Sequence, residues 1–234
     1  MKTASQRILL LLLALLAVGE KSTRAGEFQY VLIFGSQSHP KQLRYTHTWA
    51  TFVRVFGEGP DLNTYNLEIN TISWLPQTLD IHVWDLKPEP GVNLDLYSTL
   101  QAVYANKESV TMWGPFRIGS EVYGRSLRVS SVLDSGQAQY RAISGRNLRT
   151  GDCIHAVAAV DPVFGRGHYP LIRIGKPASR YIARQIMTRS LFDQTLDDNA
   201  WLITRLGLDR YPIEVVSPHA IPKRNCVFCR CEGH

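Results

Sequence analysis

Residues 151–160, GDCIHAVAAV, place a cysteine where a polar loop gives way to an apolar segment. Asp152 or Thr150 is a suitable N-cap, which predicts a helix with Cys153 in its first turn. The free backbone N–H groups and the positive dipole end of a first turn stabilise a thiolate and can bind an oxyanion. A buried, inert cysteine beneath a short helix is the alternative, because free cysteine is among the most buried residue types.

The composition is that of an ordinary globular protein. The chain has 234 residues, of which 44% are hydrophobic and 20% charged, so it can bury a sizeable core. The formal net charge is +6, but the first 25 residues hold four of the 26 basic and one of the 20 acidic residues, which leaves +3. No block of Lys and Arg remains to mark a phosphate-binding face, so the sequence argues against a nucleic-acid partner.

The N-terminus has the pattern of an export signal. Lys2 and Arg7 precede an apolar run of eleven residues from Ile8 to Val18, and 23–25 or 17–19 supply a cleavage site. This predicts a signal peptide over 1–25 and a periplasmic or extracellular mature protein. An uncleaved N-terminal anchor is the alternative, and no later segment is long and apolar enough to span a membrane.

The first half of the mature chain predicts a sheet. Aromatic and β-branched residues indicate strands over 28–34, 45–56, 67–76 and 81–86, with the third strand pairing antiparallel to the second. Alternation of side chains puts two sets of residues on shared faces: Tyr45, His47, Trp49, Thr51 and Val53 on the second strand, and Asn70, Ile72 and Trp74 on the third.

Helices alternate with short strands in the remainder. Leu94–Ala105 and Glu121–Leu133 have helical spacing and flank a turn at Trp113-Gly114-Pro115, so this region is interpreted as a helical insertion. The segments beyond are predicted as a strand over 139–143, the cysteine helix, a strand over 171–174, helices over 178–188 and 197–206, and a strand over 211–216. With no linker in between, 26–221 form one α+β domain.

The C-terminal tail, 222–234, holds three of the four cysteines. An exported protein favours a disulfide among Cys226, Cys229 and Cys231. These cysteines with His234 also have the ligand types of a zinc site, although a single short cluster is a weak metal signal. Both interpretations stay open, and neither a cofactor nor a metal is assigned.

The residues that remain as catalytic candidates are a Cys, a His and a polar partner. No G-x-S-x-G, H-E-x-x-H, phosphate-binding loop or dinucleotide-binding fingerprint is present, and no carboxylate pair stands out. Acyl transfer by a thiolate needs a nucleophile, an imidazole and a group that orients the imidazole. Cys153, His47 and Asn70 would take these roles, with Ser73 or Thr71 in place of Asn70 if the strand register differs.

The order of His-bearing strand, polar strand and cysteine helix, ending in Asp152-Cys153-Ile154-His155, resembles the circularly permuted papain-like fold. This is the branch of the NlpC/P60 superfamily that includes lecithin:retinol acyltransferase-like proteins, and the resemblance covers about residues 28–160. It implies an antiparallel sheet packed against helices. It also implies a cysteine hydrolase or acyltransferase that forms a thioester with an amide, peptide or ester substrate, small or lipid.

Two non-catalytic hypotheses stand beside the enzyme. A relative of the same fold would bind a ligand or partner, with no imidazole near Cys153 and an ordinary thiol pKa. An envelope protein could instead act through contacts of its cysteine tail. Asp152 bears on the choice, because a carboxylate beside a thiol raises the pKa of that thiol.

Overall fold

A five-stranded mixed sheet forms the centre of the protein. The structure is a computed structural model that describes residues 26–142, 149–161, 175–188, 199–217 and 220, without the side chains of 185–188. In spatial order the strands are β3 (Asn66–Ile72), β2 (Thr46–Gly57), β1 (Gly26–Ser38), β6 (Glu108–Ile118) and β9 (Ile213–Val216). Neighbours are antiparallel except β6 and β9, which are parallel.

A smaller sheet of four short strands lies at the end of β3. Its order is β4 (Trp74–Pro76), β5 (Glu89–Asn93), β7 (Gln139–Tyr140) and β8 (Thr150–Gly151). The first two pairs are antiparallel and β7 with β8 is parallel. The predicted α+β class is therefore confirmed, but the sheets are mixed rather than antiparallel.

Five helices in the described residues cover the central sheet on both faces. They are α1 (Leu96–Ala105), α2 (Ser120–Asp134), α3 (Cys153–Ala158), α4 (Gly175–Thr188) and α5 (Trp201–Arg205), with 3₁₀ turns at Leu43–Tyr45, Leu62–Thr64 and Leu208–Arg210. Helices α2, α3 and α4 share one hydrophobic cluster with the sheet, and α1 and α5 share the other. None of these helices is long and apolar enough to cross a membrane.

Strand β1 is buried on both faces, which explains why its sequence is an almost continuous apolar run. Val31 and Ile33 belong to the cluster with α2, α3 and α4, and Leu32 and Phe34 to the cluster with α1 and α5. The strand pairs with β2 along one edge and β6 along the other. The predictions for β1, β2 and the antiparallel β2–β3 pair are confirmed.

The predicted helical insertion is wrong, because strand β6 runs through it and lies next to β1 in the central sheet. The expected turn at Trp113-Gly114-Pro115 is a bulge within this strand. Val31 pairs with Phe116 and Ile33 with Trp113, so β6 carries one extra residue, and Gly114 has φ +113°. A glycine that tolerates positive φ lets the strand continue where its sequence indicates a turn.

The strand predicted over 81–86 is also wrong: those residues form a loop, and Trp84 is 81% exposed. The sheet uses Glu89–Asn93 instead, despite Pro90 and Gly91. The Trp74 ring lies directly on Gly91, where a Cβ atom would overlap it. Close packing against a buried tryptophan, rather than strand propensity, selects this segment. The strand predicted over 171–174 lies outside the described residues.

Helix α4 lies unusually close to β1 and β2. A Cβ atom on Gly35 would be 2.8 Å from Cα of Lys176, and a Cβ atom on Gly175 would be 2.8 Å from the His47 carbonyl oxygen and would also overlap the Ser36 carbonyl oxygen. Ser179 Oγ donates to the Phe34 carbonyl oxygen at 2.7 Å. The helix therefore begins at Gly175, three residues before the predicted start.

We expect Gly175→Ala to lower the free energy of unfolding by about 1–3 kcal/mol, because the added methyl group meets backbone atoms that cannot rotate away. Gly119→Ala is the matched control, since a Cβ atom there meets nothing within 4 Å. Urea unfolding of both variants measures the effect. Equal losses in the two variants would contradict the close approach of α4.

Candidate functional site

Cys153 is the first residue of α3, as the sequence predicts. Asp152 is the N-cap, and its Oδ1 accepts a hydrogen bond from the backbone N–H of His155 at 2.8 Å. The cysteine is 6% exposed and is the only free cysteine in the described part of the chain. The helix has only six residues, so its dipole contributes little at the thiol.

The surroundings of the thiol favour its neutral form. Burial raises the pKa of Cys153 well above its usual range, and the Asp152 carboxylate raises that pKa further. The backbone N–H groups of Thr48, Ile154 and Cys153 itself act in the opposite direction, but they do not compensate for burial. The predicted effect of Asp152 on the thiol pKa is thus present.

His155 is tied to Asp152 rather than to Cys153. Its Nδ1 lies 2.8 Å from Asp152 Oδ1, and the carboxylate is buried. The imidazole and the backbone N–H of His155 together hold the carboxylate at the start of α3. His155 therefore positions the N-cap.

His47 is buried in a mostly apolar environment on β2. Its Nε2 lies 2.9 Å from Ser73 Oγ, and its ring stacks on Trp49 with centroids 5.3 Å apart. Its Nδ1 has no hydrogen-bond partner. Burial lowers the pKa of His47 to about 3, so the imidazole is neutral at physiological pH.

The structure does not join His47 to Cys153 by a hydrogen bond. The residue next to the sulfur is Thr48, which alternation in the strand puts on the face opposite to His47. Trp49, on which His47 stacks, belongs to the hydrophobic cluster with α1 and α5, whereas Cys153 belongs to the other cluster. In the structure, the hydrogen-bond partner of the imidazole is therefore Ser73 and not the thiol.

Asn70 is engaged elsewhere. Its Nδ2 donates to Ser126 Oγ at 3.0 Å, and its Oδ1 accepts from Ser130 Oγ at 2.8 Å, so the amide holds α2 against β3. Ser73 occupies the place beside His47, which is one of the alternatives that the sequence leaves open. The other, Thr71, bonds Thr51 at 3.1 Å.

Sequence reasoning missed a cavity of about 410 Å³ between α4 and the edge of the central sheet. We call it the α4–β9 cavity; its lining residues are Gln37, Thr111, Trp113, Lys176, Pro177, Arg180, Arg184, Glu214, Val216 and Ala220. The signal that could have found it is the spacing of the three basic residues, which recur every fourth position along α4 and so share one face.

The polar groups of the α4–β9 cavity differ in how well they are paired. Glu214 Oε2 accepts from Thr111 Oγ1 at 2.7 Å and lies 3.8 Å from Lys176 Nζ. Arg180 and Arg184 form no ion pair within the described residues, and Arg184 Nε is buried without a hydrogen-bond partner. The cavity thus holds two cations whose charge nothing described there neutralises.

Searches of family models, curated proteins and solved structures returned no match for this chain. The described residues contain no group of three or more His, Cys, Asp and Glu side chains arranged to hold a metal ion. The predicted signal peptide and the tail with Cys226, Cys229 and Cys231 lie outside the described residues. The assignment of function therefore depends on the geometry of the two sites alone.

In a protein whose tail cysteines are replaced by Ser, we expect Cys153 to react with iodoacetamide at pH 8 at least tenfold more slowly than it does in urea. Burial and the raised thiol pKa both reduce the amount of accessible thiolate. Mass spectrometry measures the rate. Fast alkylation below the ordinary thiol pKa, slowed by His47→Ala, would instead indicate a nucleophile–base pair.

Burial of neutral His47 makes stability sensitive to acid. The pKa of the imidazole is about 3 in the folded protein and 6.5 in the unfolded chain, so below pH 6.5 the unfolded state binds the extra proton. Neutral His47 therefore costs the folded protein nothing above pH 6.5, and below that pH the free energy of unfolding falls by up to about 1.4 kcal/mol per pH unit towards pH 3.

We expect His47→Gln to flatten the decline of unfolding free energy between pH 6.5 and 4, as measured by urea titration at several pH values. Glu108 acts in the opposite sense, because burial raises the pKa of its carboxyl to about 6. Both proteins retain Glu108, so its contribution cancels when the unfolding free energy of the variant is subtracted from that of the wild type at each pH. Parallel pH profiles would contradict the buried neutral imidazole.

Proposed function

We propose that this protein is an exported, non-catalytic binding protein that holds a small molecule in the α4–β9 cavity. The observation that carries the proposal is the cavity itself. Its volume of about 410 Å³ falls within the range of small-molecule sites in proteins. Export is inferred from the signal pattern of residues 1–25, as before.

The lining of the cavity has the composition that small-molecule sites share. Trp113, Pro177 and Val216 offer apolar surface, while basic side chains and Glu214 offer polar groups at defined positions. Ligand sites combine a mostly apolar wall with a few convergent polar groups in this way. The combination supports a specific organic ligand rather than water alone.

The surroundings of Cys153 support binding over catalysis. A catalytic thiol needs an accessible sulfur, a thiolate near neutral pH and an imidazole within reach. The sulfur of Cys153 is buried, its pKa is raised, and the His47 ring stacks on the far side of the strand. The lack of an imidazole at the sulfur is what the ligand-binding hypothesis anticipates, and the raised thiol pKa departs from the ordinary value of that hypothesis in the direction away from catalysis.

A cysteine hydrolase or acyltransferase of permuted papain-like fold is the second candidate. The observation that favours it is the convergence of the Thr48, Ile154 and Cys153 N–H groups on the sulfur, because such groups can stabilise a thiolate or an oxyanion. In that mechanism His47 takes the thiol proton, the sulfur attacks an acyl carbon to form a thioester, and water or another acceptor releases the acyl group. The alkylation experiment distinguishes the two candidates.

We expect Val216→Trp to weaken binding at the α4–β9 cavity at least tenfold, because the indole ring fills space that a ligand would occupy. Saturation-transfer NMR with benzyl alcohol, benzylamine, succinate and phenyl phosphate measures binding to the full chain. Val215→Trp is the matched control, since Val215 neighbours Val216 on β9, is 47% exposed and does not line the cavity.

The wild type and the Val215→Trp control should bind at least one probe, and Val216→Trp should bind it at least tenfold more weakly. Circular dichroism melting establishes that both variants fold. Equal binding by the wild type and Val216→Trp, or no binding of any probe to the wild type, would refute the proposed binding role.

A further inference from the structure

We propose that the ligand of the α4–β9 cavity is a phosphate monoester, an inference that rests on the proposed binding function of that cavity. The starting point is the charge of the lining. Three basic side chains, Lys176, Arg180 and Arg184, face a single carboxylate, Glu214. The excess of two positive charges matches the charge that a phosphate monoester carries above its second pKa of about 6.

The charges are not distributed evenly along the cavity. Lys176 lies 3.8 Å from Glu214, whose carboxylate also accepts a hydrogen bond from Thr111. That end of the cavity is therefore close to neutral. The uncompensated charge is concentrated at Arg180 and Arg184, which form no ion pair within the described residues.

The spacing of the two arginines suits one compact dianion. Residues four apart on a helix lie on the same face and about 6 Å apart along its axis. Two guanidinium groups at that separation can reach different oxygens of one phosphate, and arginine binds phosphate through paired N–H donors.

Arg184 supplies an independent indication that an acceptor is missing. Its Nε is buried and has no hydrogen-bond partner. A buried donor on a charged group costs free energy when left unpaired, and proteins rarely leave such a donor without an acceptor. This Nε has no solvent exposure in the structure, so a phosphate oxygen in the cavity accepts the hydrogen bond only once the Arg184 side chain turns its guanidinium group towards the ligand.

The rest of the lining accommodates the organic part of the ester. Trp113 and Val216 lie on neighbouring strands, and Pro177 lies in the first turn of α4. Inorganic phosphate has no apolar group that could pack against this surface, whereas the organic part of an ester has one. We therefore infer a phosphate group held by Arg180 and Arg184 with an apolar or aromatic substituent against Trp113.

Isothermal titration calorimetry on the full chain tests the inference with four probes: phenyl phosphate, inorganic phosphate, succinate and benzyl alcohol. We expect phenyl phosphate to bind at least tenfold more tightly than each of the others. Raising the salt concentration should lower the affinity for phenyl phosphate and leave the affinity for benzyl alcohol unchanged, because only phenyl phosphate binds through its charge.

Three variants locate the phosphate. Arg180→Gln and Arg184→Gln should each lower the affinity for phenyl phosphate at least tenfold, while the affinity for benzyl alcohol stays the same. Arg128→Gln on α2 removes the same charge from an exposed position outside the cavity, so it should have no effect. Retained benzyl alcohol binding also shows that a variant remains folded.

The outcomes separate the two proposals. Binding of benzyl alcohol or succinate as tight as that of phenyl phosphate would overturn the phosphate assignment and leave the binding function standing. Loss of phenyl phosphate affinity in Arg128→Gln equal to that in Arg184→Gln would overturn the assignment of the arginines. No binding of any probe would overturn both proposals.

Discussion

The contact of helix α4 with strands β1 and β2 is the constraint on which the two sites depend. The helix approaches so closely that Gly35 and Gly175 leave no room for a Cβ atom, and Ser179 bonds the Phe34 carbonyl oxygen directly. One side of α4 forms the wall of the cavity with its basic residues. Its first residue presses on the backbone of β2 beside Thr48, whose N–H lies at the Cys153 sulfur.

The sequence predicts those elements whose local pattern and tertiary role agree. The run around Val31 is apolar because β1 is buried on both faces, so its strand is evident from composition. Asp152 is a good N-cap by chemistry alone, and the helix begins directly after it. The strand faces of His47 and of Asn70 are also predictable, since alternation needs no knowledge of the partner strand.

Whether His47 and Asn70 lie on the same face of the sheet is not predictable, because it depends on the register in which β2 and β3 pair. Ala50 pairs with Ile72, which puts Asn70 on the face opposite to His47 and brings Ser73 to the imidazole instead. A shift of one residue would reverse that outcome. Strand β6 is hidden for a related reason: Gly114 and Pro115 indicate a turn, and only pairing with β1 makes them a bulge. The fold class and the helix that begins at Cys153 thus follow from sequence, whereas the site geometry does not.

The parallel pairing of β6 with β9 has a consequence for the order in which the molecule assembles. Val110 pairs with Ile213, so the contact closes a loop of about one hundred residues, whereas β1 and β2 meet through a short connection. Closing a long loop costs more conformational entropy, and β9 contributes only four residues at the edge of the sheet. On a ribosome, the hairpin can form long before the cavity wall has been synthesised. The cavity wall that β9 forms can therefore be completed only after the last described strand has left the ribosome, long after both strands of the β1–β2 hairpin.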